Sequence, residues 1–130
     1  MKTIKFREFT TSSGKIVLGG KDAESNEELM KKFMDKSAIV LHTKEPGSPF
    51  CVLESNNKKD IEEASVFCAK YSQAWKKAKV KKDIIVDCFS GKDVFKTKDM
   101  KLGTFGVKKY RVIKLKKKDI EEFIKKRLSE

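Results

Sequence analysis

FREFTTSSGKIVLGGKDAESN, from Phe6 to Asn26, decides how the chain is read. Phe6-Arg7-Glu8-Phe9 ends a first strand that starts near Lys2, with Ile4, Phe6 and Phe9 facing inward. Ser12-Ser13-Gly14 supplies a tight turn, because glycine takes positive φ without a Cβ clash. Ile16-Val17-Leu18 is a short, largely β-branched run and predicts a second strand. Gly19-Gly20 lets the backbone bend sharply or lets another group approach it. Ser25 followed by Glu28 and Leu29 has the spacing of a capping box, so a helix begins near Asp22 to Ser25. The stretch is therefore a hairpin feeding a helix, and on shape alone it needs no function.

The same grammar continues outward. Leu29, Met30, Phe33 and Met34 give the first helix, to Lys36, one apolar face, and the methionines are core filler. Ala38 to His42 and Phe50 to Leu53 predict two more strands, joined by a loop in which Pro46-Gly47 fits the centre of a type II turn. Asp60 to Lys77 predicts the longest helix, with Ile61, Ala64, Cys68, Tyr71 and Trp75 in one stripe and Trp75 structural. Ile84 to Phe89 is a fifth strand, Val94-Phe95 a short edge, and Lys98 to Gly106 a glycine-punctuated loop. Val107 to Leu115 alternates imperfectly and predicts one bulged strand, with Tyr110, Val112, Ile113 and Leu115 as its strand-like positions. Asp119 to Leu128 predicts a closing helix on the shared face of Ile120, Phe123, Ile124 and Leu128. The order ββαββαββ(β)α implies an α+β fold: a mainly antiparallel sheet of hairpins with about three helices packed on it. With 130 residues and no internal repeat or long linker, residues 1–130 are expected to form a single domain.

Composition narrows the function classes. No apolar run of ~18 residues is present and the N-terminus lacks a signal-peptide core, so a cytoplasmic protein without a membrane partner is expected. Cys51, Cys68 and Cys88 are odd in number and far apart, and His42 is the only histidine. A zinc site needs about four clustered ligands, so no metal and no cofactor is expected, and the thiols read as buried and reduced. Net charge is +12, and residues 76–118 hold 16 Lys/Arg against 4 Asp/Glu, which accounts for the whole excess. A solvated lysine face explains many charge runs, but such faces usually carry acids too. Their scarcity favours a polyanion, nucleic acid ahead of a membrane surface.

Four blocks carry a family resemblance: TTSSGKIVLGGKDAESNEEL, IVLHTKEPGSPFCVL, AKYSQAWKKAKV and VFKTKDMKLGTFGVK. Together, in that order, they resemble the NFACT-R domain, the RNA-binding-type module of ribosome-associated quality-control NFACT proteins. The resemblance implies an RNA-binding module with tRNA or ribosomal RNA as partner. Large NFACT proteins bind the large ribosomal subunit carrying a stalled nascent chain, engage tRNA there and promote a C-terminal tail on the peptide. This chain has no room for their other domains, so it resembles the short free-standing forms, and a separate protein is expected to supply the remaining functions. A membrane-anchored free-standing relative binds DNA; with no span here, that role is not expected to carry over.

The resemblance directs attention to Thr11, Ser12, Gly19, Gly20, Lys21 and Asn26 in the first block. A glycine turn before a helix N-terminus offers backbone amides to a phosphate, and Lys21 adds a charge. In the second block His42, Thr43, Lys44 and Ser48 are expected to hydrogen-bond phosphate, sugar or a base edge. Lys96, Lys101, Lys108, Lys109 and Arg111 form the expected electrostatic footprint. Phe95, Phe105 and Tyr110 lie among them, either as core or as stacking platforms for unpaired bases. No paired carboxylates or histidine-rich cluster can be read, so the expected role is non-catalytic. A module docking an acidic protein, and more remotely a nuclease, are the alternatives.

Overall fold

The computed structural model describes residues 4–128. Lys2 and Thr3 of the predicted first strand lie outside these, as do the side chains of Arg127 and Leu128. The predicted hairpins form. β1 (Arg7–Thr10) and β2 (Ile16–Gly19) pair antiparallel around a turn in which Gly14 has φ +92°. β3 (Ile39–Thr43) and β4 (Cys51–Leu53) pair through the loop in which Gly47 takes φ +87°, as the type II turn requires. β4 also pairs with β2, and β3 with β5 (Ile84–Ser90), which pairs with β8 (Arg111–Leu115). The result is a six-stranded antiparallel sheet in the order β1-β2-β4-β3-β5-β8.

One face of the sheet is covered along its length and the other in part. Because side chains alternate along a strand, Val17, Leu41, Cys51, Leu53, Val86 and Leu115 meet one face. There they pack against Ile61, Ala64, Phe67 and Cys68 of α2 (Lys58–Lys70) and Ile120 of α4 (Lys117–Leu128). Phe9 and Phe67 stack here at 5.4 Å, an arrangement worth about 0.5–1.5 kcal/mol beyond area burial. Val40, Val52 and Phe89 meet the other face. They pack against Leu29, Met30 and Phe33 of α1 (Ala23–Phe33), and Val94 and Val107 of a small hairpin join them. That hairpin is β6 (Val94–Phe95) with β7 (Gly106–Val107). All three cysteines are buried free thiols.

Three local readings need correction. The capping box of α1 lies three residues earlier than predicted: Asp22 is the N-cap and Ser25, not Glu28, is its reciprocal partner. The long second helix is broken. Ser72 caps a separate turn, α3 (Gln73–Lys76), because the Gln73 amide donates to Gly47 O at 2.8 Å across the β3–β4 loop rather than up its own helix. The bulged strand at 107–115 is two strands in different sheets. Lys108 N donates to Asp93 O at 2.8 Å, which holds β7 against β6, and β8 starts afresh at Arg111. As a consequence Tyr110 and Val112 are exposed, while Ile113 and Leu115 face inward.

Candidate nucleic-acid interface

A groove of about 280 Å³ opens at one end of the sheet, where β2 leaves at Gly19 and β1 enters at Arg7. Five segments far apart in sequence build it, the first being Arg7 of β1. Gly20, Lys21 and Asn26 come from the bend and the start of α1, and Gly47 and Ser48 from the β3–β4 loop. Tyr71, Gln73 and Lys76 come from the α2–α3 corner, and Gly103 from the loop before β7.

Each segment is pinned. Asn26 Oδ1 accepts the Phe50 amide at 3.0 Å, and Gly20 N donates to Phe50 O at 3.0 Å. Gly20 must be glycine: a Cβ there would lie 1.9 Å from Asn26 Oδ1. Gly103 rests on α1, its amide 2.7 Å from Glu27 Oε1. Arg7 donates to Gly20 O at 2.5 Å, and its guanidinium lies 4.4 Å from the centre of the Tyr71 ring. Lys70 and Lys76 reach the same ring, at 4.8 and 5.6 Å. Such contacts contribute ~0.5–1 kcal/mol each at exposed sites and hold Arg7 and Lys76 at one wall of the groove.

The amide cradle expected at the bend is not available in that form. Lys21 N and Asp22 N donate to Ser25 Oγ at 2.7 and 3.0 Å, and Ser25 N donates to Asp22 Oδ1 at 2.8 Å. The groove instead presents side-chain cations. Arg7, Lys21 and Lys76 face one lining carboxylate, Asp22, which is engaged in capping α1.

Four of these five segments lie in the four resembling blocks, and a family model described as the NFACT protein RNA binding domain matches residues 5–109. The chain belongs to this family. Over 76 residues the NFACT-R chain is 40% identical to an archaeal Rqc2 homolog, aRqcH, of Methanocaldococcus jannaschii, covering 55% of this chain and 11% of that protein. Over 76 residues it is 30% identical to the ribosome quality control complex subunit NEMF homolog of Drosophila melanogaster, covering 55% of this chain and 8% of that one. The chain thus spans about a tenth or less of these relatives. The solved C-terminal part of the fibronectin/fibrinogen-binding protein of Streptococcus suis has the same fold. Its TM-score is 0.77 at 22% identity, covering 94% of this chain and 50% of that one.

The other predicted site residues of the NFACT-R chain divide among several places. Gly19 abuts the core: a Cβ would lie 3.2 Å from both Cys51 Sγ and Phe67. Thr11 and Ser12 lie at the far end of the first hairpin, away from Gly20. There Thr11 Oγ1 accepts the Lys15 amide at 3.1 Å, and Ser12 Oγ donates to Glu63 Oε1 at 2.7 Å. That turn is docked on an acidic helix start. Thr43 and Ser48 brace the β3–β4 loop, with Thr43 N 3.0 Å from Ser48 Oγ. His42 Nδ1 lies 2.7 Å from the Thr43 carbonyl and its ring packs on Phe50 at 4.5 Å. Burial pushes its pKa down, against the opposing pull of that carbonyl and of Asp87.

Lys96 points inward. Its Nζ is 2.7 Å from Glu27 Oε1 and also donates to Lys101 O and Thr104 O at 2.7 and 3.0 Å. Lys101 is exposed on the loop that carries Gly103, whereas Lys108, Lys109 and Arg111 lie exposed beside or on the β8 edge. Arg7 and Arg111 belong to opposite edge strands, five strand spacings or roughly 24 Å apart, so the basic residues do not form one wall. Of the three interleaved aromatics, Phe105 packs edge-on to Phe50 at 5.9 Å, and the Phe95 ring would meet any Cβ at Gly106. Tyr110 stays exposed. Arg7 and Tyr71 were not foreseen as site residues. Arg7 looks like an ordinary outward strand residue and Tyr71 like part of an apolar stripe. Their only signal was membership in, or adjacency to, the resembling blocks.

Proposed function

We propose that this chain is a non-catalytic RNA-binding module acting in ribosome quality control in the cytoplasm, with tRNA or ribosomal RNA as its ligand. The observation that carries the reading is the convergence of five separated segments on one cationic groove. Arg7, Lys21 and Lys76 take backbone phosphates, while Asn26 and Gln73 offer polar groups to sugar or base edges. Lys101, from the adjoining loop, and the exposed Lys108, Lys109 and Arg111 lengthen the electrostatic footprint. His42, Thr43 and Ser48 act by holding the loop that forms the second wall. Lys44 lies 3.0 Å from Asp87 Oδ1. The name of the Drosophila relative makes that protein a subunit of a ribosome quality control complex, which supports the same setting here. Among the described residues the groove lining holds neither histidine nor cysteine, and its one carboxylate caps a helix, which supports binding without chemistry.

Binding of a tRNA transcript across a salt series tests the reading. With about five phosphates contacted, log K falls against log[salt] with a slope near −4. Lys21→Ala with Lys76→Ala flattens that slope by about 2, since each lost contact removes roughly 0.7–0.9. A flat salt response in the wild-type chain overturns the proposal.

A further inference from the structure

The second face of the sheet is only partly covered. α1 and the β6–β7 hairpin lie over Val40, Val52 and Phe89, and beyond them β5 and β8 are open. In this register Asp87 stands opposite Val112 and Ile85 opposite Lys114, so these four side chains share one face. Tyr110, two residues before Val112, joins them. Lys44 reaches the same quadrant: its amide donates to Ile85 O at 2.9 Å, and its Nζ lies 4.6 Å from the centre of the Tyr110 ring. Tyr110 and Val112 are each 52% exposed and Ile85 is 40% exposed. Three large apolar groups gathered on an open sheet face are unusual where scattered single ones are not.

The charge on the face itself is mainly basic, while Asp93 adjoins Tyr110 and Glu45 and Asp83 adjoin Ile85 at its rim. Lys44 and Lys114 stand on the face and Lys109 beside it, while Arg111, paired with Cys88, points to the opposite face. Asp87, the acid among the paired residues, is already paired with Lys44 at 3.0 Å. The complementary ligand is a polyanion that also carries flat apolar groups, which describes unpaired nucleobases on a phosphate backbone and not a duplex, whose bases are stacked away. β8 lies beyond residue 109, where the family match ends.

We infer that the open quadrant formed by Tyr110, Val112 and Ile85, with Lys44 and Lys114, is a stacking platform for single-stranded RNA, separate from the groove at the opposite side of the sheet. Tyr110 is the stacking side chain, held face-on by the Lys44 ammonium. Val112 and Ile85 receive the next base, and Lys109 and Lys114 meet the connecting phosphates. The inference rests on the RNA-binding reading above and adds a second site to it.

The test measures the affinity of a 12-nucleotide single-stranded RNA and of a blunt RNA duplex for four proteins: wild type, Tyr110→Ala, Tyr110→Phe and Val112→Glu. Both positions are half exposed, so the variants are expected to fold, and circular dichroism verifies that. Tyr110→Ala is expected to weaken single-strand binding about tenfold or more while duplex binding stays within about twofold. Tyr110→Phe keeps the ring and keeps the affinity, and Val112→Glu loses it. Unchanged single-strand affinity in Tyr110→Ala, or equal losses for strand and duplex, overturns the platform while leaving the groove intact. Absence of any RNA binding by the wild type overturns both readings. A wild-type dimer or a bound acidic peptide that Val112→Glu abolishes, with single-strand affinity untouched, assigns the quadrant to a protein contact and overturns the platform.

Discussion

Lys96 Nζ lies 2.7 Å from Glu27 Oε1, and the Glu27 side chain is almost fully buried beneath the loop that carries Gly103. This pair ties the basic third quarter of the chain to its first helix. It also fixes the loop that supplies one wall of the groove.

Removing one partner should therefore unfold more than a loop. Lys96→Met leaves a buried carboxylate with only the Gly103 amide and a 3.8 Å contact to Lys31 Nζ. A loss of about 3 kcal/mol is expected, the low end for breaking a buried pair because Lys96 is partly exposed. Urea denaturation measures it. Glu27→Gln, which keeps an acceptor for Lys96 and Gly103, should lose less.

Gly20→Ala should act through Asn26. The new methyl would displace Asn26 Oδ1, and the Phe50 amide would lose its acceptor. A destabilisation of about 1–3 kcal/mol follows from one unsatisfied buried donor. Asn26→Ala should reproduce much of that loss in a thermal melt, and combining the two changes should be less than additive.

His42 sets the stability of the fold in mild acid. Its folded-state pKa is depressed, chiefly by burial, so between the ordinary value of ~6.5 and the lowered one the unfolded chain binds the extra proton. Stability is full above pH ~6.5 and falls as the pH drops through that window. Glu27 and Asp60 are also held below their ordinary values, so their contributions are present above ~4.3 and fade only below it. Denaturation midpoints between pH 5 and 7 should decline for the wild type and stay nearly level for His42→Phe. A wild-type midpoint that is level over this range would contradict the assignment.

Much of the fold could be read because glycine and apolar alternation speak locally. Gly14 and Gly47 both take the positive φ that their turns require, and Ile16 to Leu18 and Ile84 to Phe89 pair as strands. The break at Ser72 could not be read, since AKYSQAW keeps helical spacing. It depends on the Gln73 amide finding Gly47 O, a partner 26 residues away. Charge counts located the basic segment and left side-chain direction open. Lys96 turns inward to Glu27, Lys81 turns to the Trp75 carbonyl at 2.6 Å, and Lys109 stays in solvent, yet all three are lysines in one run. The groove was half legible. Gly20, Lys21 and Asn26 stood out, but Arg7 and Tyr71 join them only through the pairing of β1 with β2 and the turn at the end of α2.

Amide chemical-shift mapping of the isotope-labelled chain, titrated with a blunt RNA duplex, tests the groove most directly. The largest shifts are predicted at Gly20 to Asn26, Gly47-Ser48, Tyr71 to Lys76 and Gly103, with the Thr11 to Ser13 turn unmoved. Shifts centred on that turn, or spread evenly over the exposed lysines, would contradict the account.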